Sequence, residues 1–276
     1  MIWRRRELKK RARRLLKECY WPAVAVCLLT VMLTGWIGSA GISAGRLAPE
    51  SSGVEMSEKR LRELKKDLRE NNPIADYKIS IFQKQLNLLM MIFVITATIS
   101  IFLAGLLVIF FIGNPVRVSS KRFFMCNRIR RTDIGMILYV FRNHYTFHVT
   151  KVMFIRWAKI VAGYLMLVVP GIIRHYEYSL VPYILAENPR MDTERALELS
   201  SAMTEGEKMK MFRLDLSFVL WEAASALTLG LVSAFYLLPY KEFTKAELYH
   251  VLRQNALESR LCDYKELPGF DTDLAV

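Results

Sequence analysis

The chain has 276 residues, of which 53% are hydrophobic and 24% are charged, and its formal net charge is +13. The hydrophobic share exceeds the usual share of about 45–50%, which disfavours an ordinary soluble domain. The charge is concentrated in residues 1–21 and 114–151, which carry +7 each and leave −1 for the rest of the chain. This split indicates the two faces of a membrane rather than a general nucleic-acid binder.

The N-terminal stretch, residues 1–21, predicts a basic amphipathic helix on the cytoplasmic side. Leu8, Ala12, Leu15 and Cys19 fall on one helical face. The other faces carry a basic cluster that we expect at the membrane surface, attracted by anionic lipids. No base-reading pattern accompanies the cluster, so no nucleic-acid partner is expected. The cluster consists of Arg4, Arg5, Arg6, Lys9, Lys10, Arg11, Arg13 and Arg14.

Two uncharged runs predict membrane-spanning helices, because about 20 apolar residues cross a bilayer core. They are residues 22–45 and 87–113. Nine basic and seven acidic residues lie between them in 46–86, which indicates an extracytoplasmic loop containing a helix. Asn114-Pro115 is predicted to end the second span. The basic loop that follows, 114–146, is then cytoplasmic like the N-terminus.

The next hydrophobic segment is interrupted by charges and by a helix breaker. Residues 147–171 predict a third span that contains Arg156 and Lys159. Pro170-Gly171 is predicted to break or kink this helix. Residues 172–187 are short for a span, and the sequence leaves open a short returning helix, a re-entrant hairpin or an interfacial helix.

The last third of the chain predicts one more span between polar segments. Residues 188–213 carry equal numbers of basic and acidic residues and predict an amphipathic helix capped by Asp192. Residues 214–239 are the last apolar run, which Pro239 is predicted to end. The tail, 240–276, is expected to form a short helix followed by disorder.

Ionisable residues inside the predicted spans are the candidate functional residues, because charges at bilayer depth are costly and usually pair or line a cavity. Glu222 is the deepest by sequence, and we expect it to pair with Lys159 or Arg156. Structural pairing and an ion or substrate pathway both remain open, the pathway using the break at Pro170-Gly171. The full set is Arg156, Lys159, Arg174, Glu177, Asp215 and Glu222.

Motifs of catalysis or cofactor binding are absent from the sequence. No phosphate-binding loop, nucleophile elbow or dinucleotide-binding glycine pattern occurs. His144 and His148 lie four residues apart, but residue 145 is not the glutamate that a zinc protease needs. The four cysteines form no C-x-x-C pair. We therefore expect neither an enzyme nor a cofactor or metal.

Several blocks of the sequence are distinctive in their order and spacing. They are RELKKRARRLLKECYWPAV (6–24), NPVRVSSKRFF (114–124), PGIIRHYEYSLVPYILAENP (170–189), the pair Ala196 and Ser200, LSFVLW (216–221) and LPYKEFTKAELYHVL (238–252). With these blocks the chain resembles the bacterial membrane-protein family known as domain of unknown function 975. The resemblance extends over roughly residues 6–252 and implies an integral membrane protein without a transferable activity, ligand or catalytic residue.

Together these patterns predict an all-α, polytopic transmembrane helical bundle with amphipathic interfacial helices. Its expected place is the bacterial cell membrane, multi-pass, with the N-terminus in the cytoplasm. The expected function is a non-enzymatic envelope scaffold or accessory protein that contacts a membrane-protein partner or a second copy of itself. The alternative is a small transporter or channel subunit.

Overall fold

A computed structural model describes residues 3–32, 73–129, 131–228 and 230–270, and every element in those ranges is helical. The all-α prediction is therefore confirmed for the described residues. Residues 33–45 of the predicted first span and 46–72 of the predicted loop lie outside them. Internal contacts divide the chain into two units, one formed by residues 1–36 and 109–276 and the other by 37–108.

The described ranges form a succession of α-helices, most of them short. A 3-10 turn, Ile134–Leu138, and two π-helical turns, Ile109–Gly113 and Ser233–Leu237, separate some of them. In chain order the α-helices are α1 (Arg5–Glu18), α2 (Tyr20–Val31), α3 (Pro73–Val108), α4 (Asn114–Cys126), α5 (Tyr139–Arg142), α6 (Thr146–Met166), α7 (Val168–Glu177), α8 (Val181–Glu187), α9 (Thr193–Thr204), α10 (Lys208–Leu216), α11 (Val219–Leu227) and α12 (Leu238–Glu258).

One helix among the described residues, Ser80–Cys126, is long and apolar enough to cross a membrane. None of its most apolar stretch is buried within the protein. Side chains such as Leu89 and Phe93 are more than 60% exposed. A run of exposed apolar side chains of this length is unusual for a soluble monomer, and it indicates contact with lipid or with another apolar surface.

The prediction that Asn114-Pro115 ends this helix is wrong. The chain passes from α3 through the π-helical turn Ile109–Gly113 directly into α4, so residues 114–126 are a largely buried helix and not a loop. Proline lacks an N–H and its ring crowds the carbonyl four residues earlier, so one widened turn before Pro115 removes the conflict.

The prediction that Pro239 ends the last helical span is also wrong, because a widened turn again accommodates the proline. The π-helical turn Ser233–Leu237 precedes Pro239, and the chain continues as α12 for 21 residues. The expected disorder after residue 258 is also wrong for the described part of the tail. Leu267 and Phe270 are buried in the core there.

Helix α1 packs with its apolar face against α12. The structure buries Leu8, Ala12, Leu16 and Cys19, whereas Leu15 is only partly buried. Protein therefore covers the apolar face of this helix. Most of the basic side chains on the other faces remain exposed.

Helices α6 and α7 form an antiparallel hairpin that turns at Leu167, whose backbone is extended (φ −166°, ψ 158°). Gly163 and Gly171, four residues on either side of the turn, bring the two helices together, since a Cβ on Gly163 would lie 3.2 Å from the Cα of Gly171. Farther from the turn, Arg156 and Tyr178 each lie eleven residues from Leu167, and Arg156 Nε donates to the Tyr178 carbonyl at 2.6 Å.

The predicted break at Pro170-Gly171 is therefore placed three residues too late. Pro170 is the third residue of α7, where its missing N–H has no partner to lose within the helix. The reversal occurs at Leu167, the residue immediately before α7. A single through-going helix over 147–171 is also wrong, because its last residues belong to the returning arm.

The predicted last span, 214–239, contains a second hairpin and not one continuous helix. The chain reverses near Gly230, whose φ of +87° is readily adopted by glycine. Across this turn Ser233 N donates to Ser225 Oγ at 3.0 Å, and the rings of Phe218 and Tyr240 lie 5.5 Å apart. The two arms of this segment therefore run side by side, and both join the larger unit at the same end of the hairpin.

Candidate functional site

The tips of both hairpins are apolar and exposed. Five consecutive residues around the first turn, Leu165 to Val169, are 66–82% exposed. In the second hairpin Leu227 is 88% and Leu231 62% exposed. Side chains of this kind are normally buried, so the two tips present matching surfaces for an apolar environment.

A cavity of about 290 Å³ lies at the base of the first hairpin, lined by α2, α4, α6, α7, α8 and α12. Its walls combine apolar side chains, such as Met153 and Leu238, with hydroxyls and an excess of cations. One carboxylate, Glu242, lines it as well. We call it the basic cavity. Its cations are Arg117, Lys121, Arg156 and Lys245.

Two of these cations are held by carboxylates. Lys121 Nζ pairs with Glu242, and Lys245 Nζ lies 3.3 Å from Asp215 Oδ1. The Tyr176 hydroxyl donates to the other oxygen of Asp215 at 3.2 Å. These contacts fix the ammonium groups on α4 and α12 and leave the two arginines as the unpaired charges of the cavity.

Arg156 and Arg117 contact no carboxylate of the described residues. Arg156 is half-buried, and its Nε bonds a backbone carbonyl, that of Tyr178. Arg117 is exposed and occupies the position four residues before Lys121 on α4. Because guanidinium groups bind phosphate and carboxylate in a bidentate manner, this pair suits an oxyanion.

The six ionisable residues predicted from the sequence do not form one network. The expected partners of Glu222 are wrong, since Glu222 Oε1 lies 2.8 Å from Lys241 Nζ. Glu177 instead bonds Ser201 and lies 3.7 Å from Lys208.

The remaining predicted residues separate into two groups. Arg156 and Asp215 lie at or beside the basic cavity. Lys159 Nζ lies 5.9 Å from the Tyr178 ring, and Arg174 packs its Cδ against Gly163. Pro170 and Gly171 do not line the cavity.

The N-terminal basic cluster contributes to packing as well as to surface charge. Lys9 Nζ lies 4.1 Å above the Phe218 ring and bonds the Ser217 carbonyl. Burial, followed by the nearby Arg13 and Arg5, lowers the pKa of Lys9. Arg11 lies 3.9 Å from Glu247. Arg4, Arg5 and Arg6 line a separate shallow depression beside Trp3, and Lys10, Arg13 and Arg14 are exposed.

Behind the basic cavity lies a second group of charges, which is fully paired. Glu187 has a fully buried side chain and accepts hydrogen bonds from Arg253 Nε, Tyr249 Oη and Gly269 N, each at 2.7 Å. Burial and then the Glu187 charge raise the pKa of Tyr249, which keeps its hydroxyl a donor. This group joins α8, α12 and the tail.

A neighbouring carboxylate, Glu247, is also buried and pairs with Arg128 Nε at 2.7 Å. Next to it, burial and the charges of Arg128, Arg253 and Arg11 lower the pKa of His250 to about 4. His250 is therefore neutral at pH 7. The three arginines here each lie within ion-pair distance of a buried glutamate, in contrast to the two arginines of the basic cavity.

Sequence reasoning missed Arg117, Lys121 and Lys245 because it assigned 114–146 to a loop and 240–276 to a tail. A signal was nevertheless present in the sequence. Pro115-x-Arg117-x-x-x-Lys121 recurs as Pro239-x-Lys241-x-x-x-Lys245. In each copy a π-helical turn precedes the proline. The repeat places a cation at the same point of the first and second turns of α4 and α12.

Comparison with known proteins gives one family. A family model described as protein of unknown function (DUF975) matches residues 59–256. No curated protein and no solved structure matches the chain.

Proposed function

The chain belongs to the DUF975 family, whose function is unknown, and from that premise we propose that it is a non-enzymatic scaffold or accessory protein of the bacterial cell membrane. The observation that carries the proposal is the exposure of apolar side chains in the long helix and at both hairpin tips. In water, each exposed side chain of this size would forgo roughly 1.5–3 kcal/mol of burial free energy.

In this arrangement residues 22–45 and 87–113 cross the bilayer, and the two hairpins enter its cytoplasmic leaflet without crossing. The uncharged part of the first hairpin, 160–173, has seven residues before the turn at Leu167 and six after it. Seven helical residues extend roughly 10 Å, about a third of the bilayer core. The charged bases of the hairpins then lie at the cytoplasmic surface, with the N-terminus and residues 188–270.

Accessibility of introduced cysteines tests this arrangement. We expect a membrane-impermeant maleimide to label Arg60→Cys in intact cells, and to label Arg190→Cys and Arg260→Cys only after permeabilisation. Each replacement is made in a variant without the four native cysteines. Positions 190 and 260 follow the first and the second hairpin, so they report whether each hairpin returns to the side on which it entered.

Position 60 serves as the internal control, because it lies between the two proposed spans and faces the outside if both cross. Labelling of position 190 in intact cells would contradict the first hairpin and restore a third crossing. Labelling of positions 60 and 260 without position 190 would contradict the second hairpin. Absence of labelling at position 60 would contradict the two spans themselves.

The pairing of Glu222 with Lys241 supports the scaffold proposal against the transport alternative. A pathway through the candidate charges would need a polar cavity that reaches Glu222 and the helix break. The basic cavity is lined by neither Glu222 nor Pro170-Gly171. Its carboxylate is already paired with Lys121, which favours an anion-binding surface over acid–base chemistry.

A scaffold predicts a stable membrane-protein partner that depends on the exposed basic face of α1. We expect Arg6→Gln, Lys10→Gln and Arg14→Gln together to deplete that partner, measured by quantitative mass spectrometry after crosslinking in native membranes. Three exposed cations elsewhere provide a control of equal charge change. They are Arg142, Arg260 and Lys265, each replaced by Gln.

Equal depletion by the control triple variant would show a general charge effect and contradict a partner surface on α1. Solute flux in proteoliposomes that disappears in Glu222→Gln would favour the transport alternative instead.

A further inference from the structure

We propose that the basic cavity binds the phosphate group of an anionic phospholipid. The assignment of the phosphate to a lipid rests on the proposed membrane function, whereas the preference for phosphate rests on the cavity itself. The cavity lies at the base of the hairpin whose tip is the most exposed apolar segment of the larger unit. A headgroup at this depth would sit where the phosphates of the cytoplasmic leaflet lie.

The charge around the cavity is not balanced by the protein. Four cations line it, and two carboxylates, Glu242 in the wall and Asp215 beside it, pair with the two lysines. Four positive and two negative charges leave +2, carried by Arg117 and Arg156. Arg156 is half-buried, and a half-buried cation without a counter-charge is costly, so an anionic ligand would remove that cost.

The geometry leaves hydrogen-bond donors available for such a ligand. Arg156 uses its Nε for the Tyr178 carbonyl, and its two Nη groups have no partner among the described residues. Tyr183 lines the cavity with only 3% of its surface exposed, and its hydroxyl is buried without a hydrogen-bond partner in the described part of the chain. A buried hydroxyl is normally satisfied, so the unpartnered hydroxyl of Tyr183, a residue that lines the cavity, is the second sign of a ligand.

The size and lining of the cavity fit a headgroup and not a whole lipid. Its volume of about 290 Å³ is at the lower end of small-ligand sites. Val31 and Met153 supply an apolar wall, along which the glycerol and the first methylene groups can lie. Basic pockets between helices on the cytoplasmic side are known to bind lipid headgroups. The cations of the basic cavity make it a pocket of this kind.

The test measures binding of phosphatidylglycerol to the purified full chain in micelles of a neutral detergent. We expect phosphatidylglycerol to raise the melting temperature in a saturable way and phosphatidylcholine at the same mole fraction to have little effect. Arg117→Gln should weaken the affinity roughly tenfold, the usual effect of losing one charge-assisted bond. Tyr183→Phe should weaken it by a smaller factor at unchanged fold, since no bond within the described protein is lost.

The control variant is Arg142→Gln, which removes an exposed cation away from the cavity and should bind like the wild type. Equal affinity in all three variants would overturn the site. Free glycerol phosphate that displaces phosphatidylglycerol at comparable concentration would overturn the lipid assignment, because the acyl chains would then contribute nothing. The cysteine-labelling experiment reports membrane placement independently, so its failure is distinguishable from failure of this site.

Discussion

Replacing Glu187 by alanine is expected to lower the free energy of unfolding by about 3–5 kcal/mol, the usual effect of removing one member of a buried ion pair. The side chain of Glu187 is fully buried and accepts three hydrogen bonds at 2.7 Å. Its loss would leave the Arg253 guanidinium and the Tyr249 hydroxyl buried beside a void. Chemical denaturation in neutral detergent, followed by far-UV circular dichroism, measures the change.

The matched control is Glu198→Ala, which removes a carboxylate that is 71% exposed and also pairs with an arginine, Arg195. An exposed pair of this kind contributes about 0–1 kcal/mol, so the control should unfold almost like the wild type. Glu187→Gln keeps the volume and part of the hydrogen bonding, and we expect it to fall between the two. Equal effects of Glu187→Ala and Glu198→Ala would contradict the buried group as the link between α8, α12 and the tail.

The helical class and the position of the first helix follow from local patterns in the sequence. The apolar spacing of Leu8, Ala12 and Cys19 predicts a helix, and those three side chains are buried at α1 and its C-terminal end. What covers them could not be predicted, because α12 lies more than 200 residues later in the chain. Local periodicity identifies an apolar face but not its partner, which can be lipid or protein.

The prolines explain the largest errors of the sequence-based interpretation. Pro115 and Pro239 are expected to end helices, yet each follows a π-helical turn that lets the helix continue. Pro170 is expected to mark a break, and it lies in the first turn of the returning helix α7. A proline excludes the regular helix ahead of it, but the sequence does not tell whether the chain widens a turn, reverses or stops.

The charges are harder to predict than the helices. Glu222 is expected to meet Arg156 or Lys159, and the hairpin near Gly230 brings it to Lys241 instead. Glu187 and Arg253 are 66 residues apart in the chain. Such pairings depend on where the chain reverses, so an error at one turn reassigns every partner beyond it. The repeated Pro-x-cation spacing before Lys121 and Lys245 is the feature of the site that could have been recognised in the sequence.

Replacing Gly171 by alanine is expected to destabilise the first hairpin, and with it the protein, by about 1–3 kcal/mol. A Cβ at this position would overlap three ring carbons of Tyr164, and Gly163 approaches the same point from α6. The two helices would have to separate or the ring would have to leave its place. Thermal unfolding in neutral detergent measures the loss.

Gly105→Ala is the matched control, because Gly105 also lies in a helix and a Cβ there meets no atom within 4 Å. Alanine exceeds glycine in helix stability by roughly 0.5–1 kcal/mol, so this control should be neutral or slightly more stable than the wild type. Tyr164→Ala in the Gly171→Ala background removes the overlapping ring and should recover part of the loss. If Gly171→Ala is as stable as Gly105→Ala, then α6 and α7 do not pack at this distance.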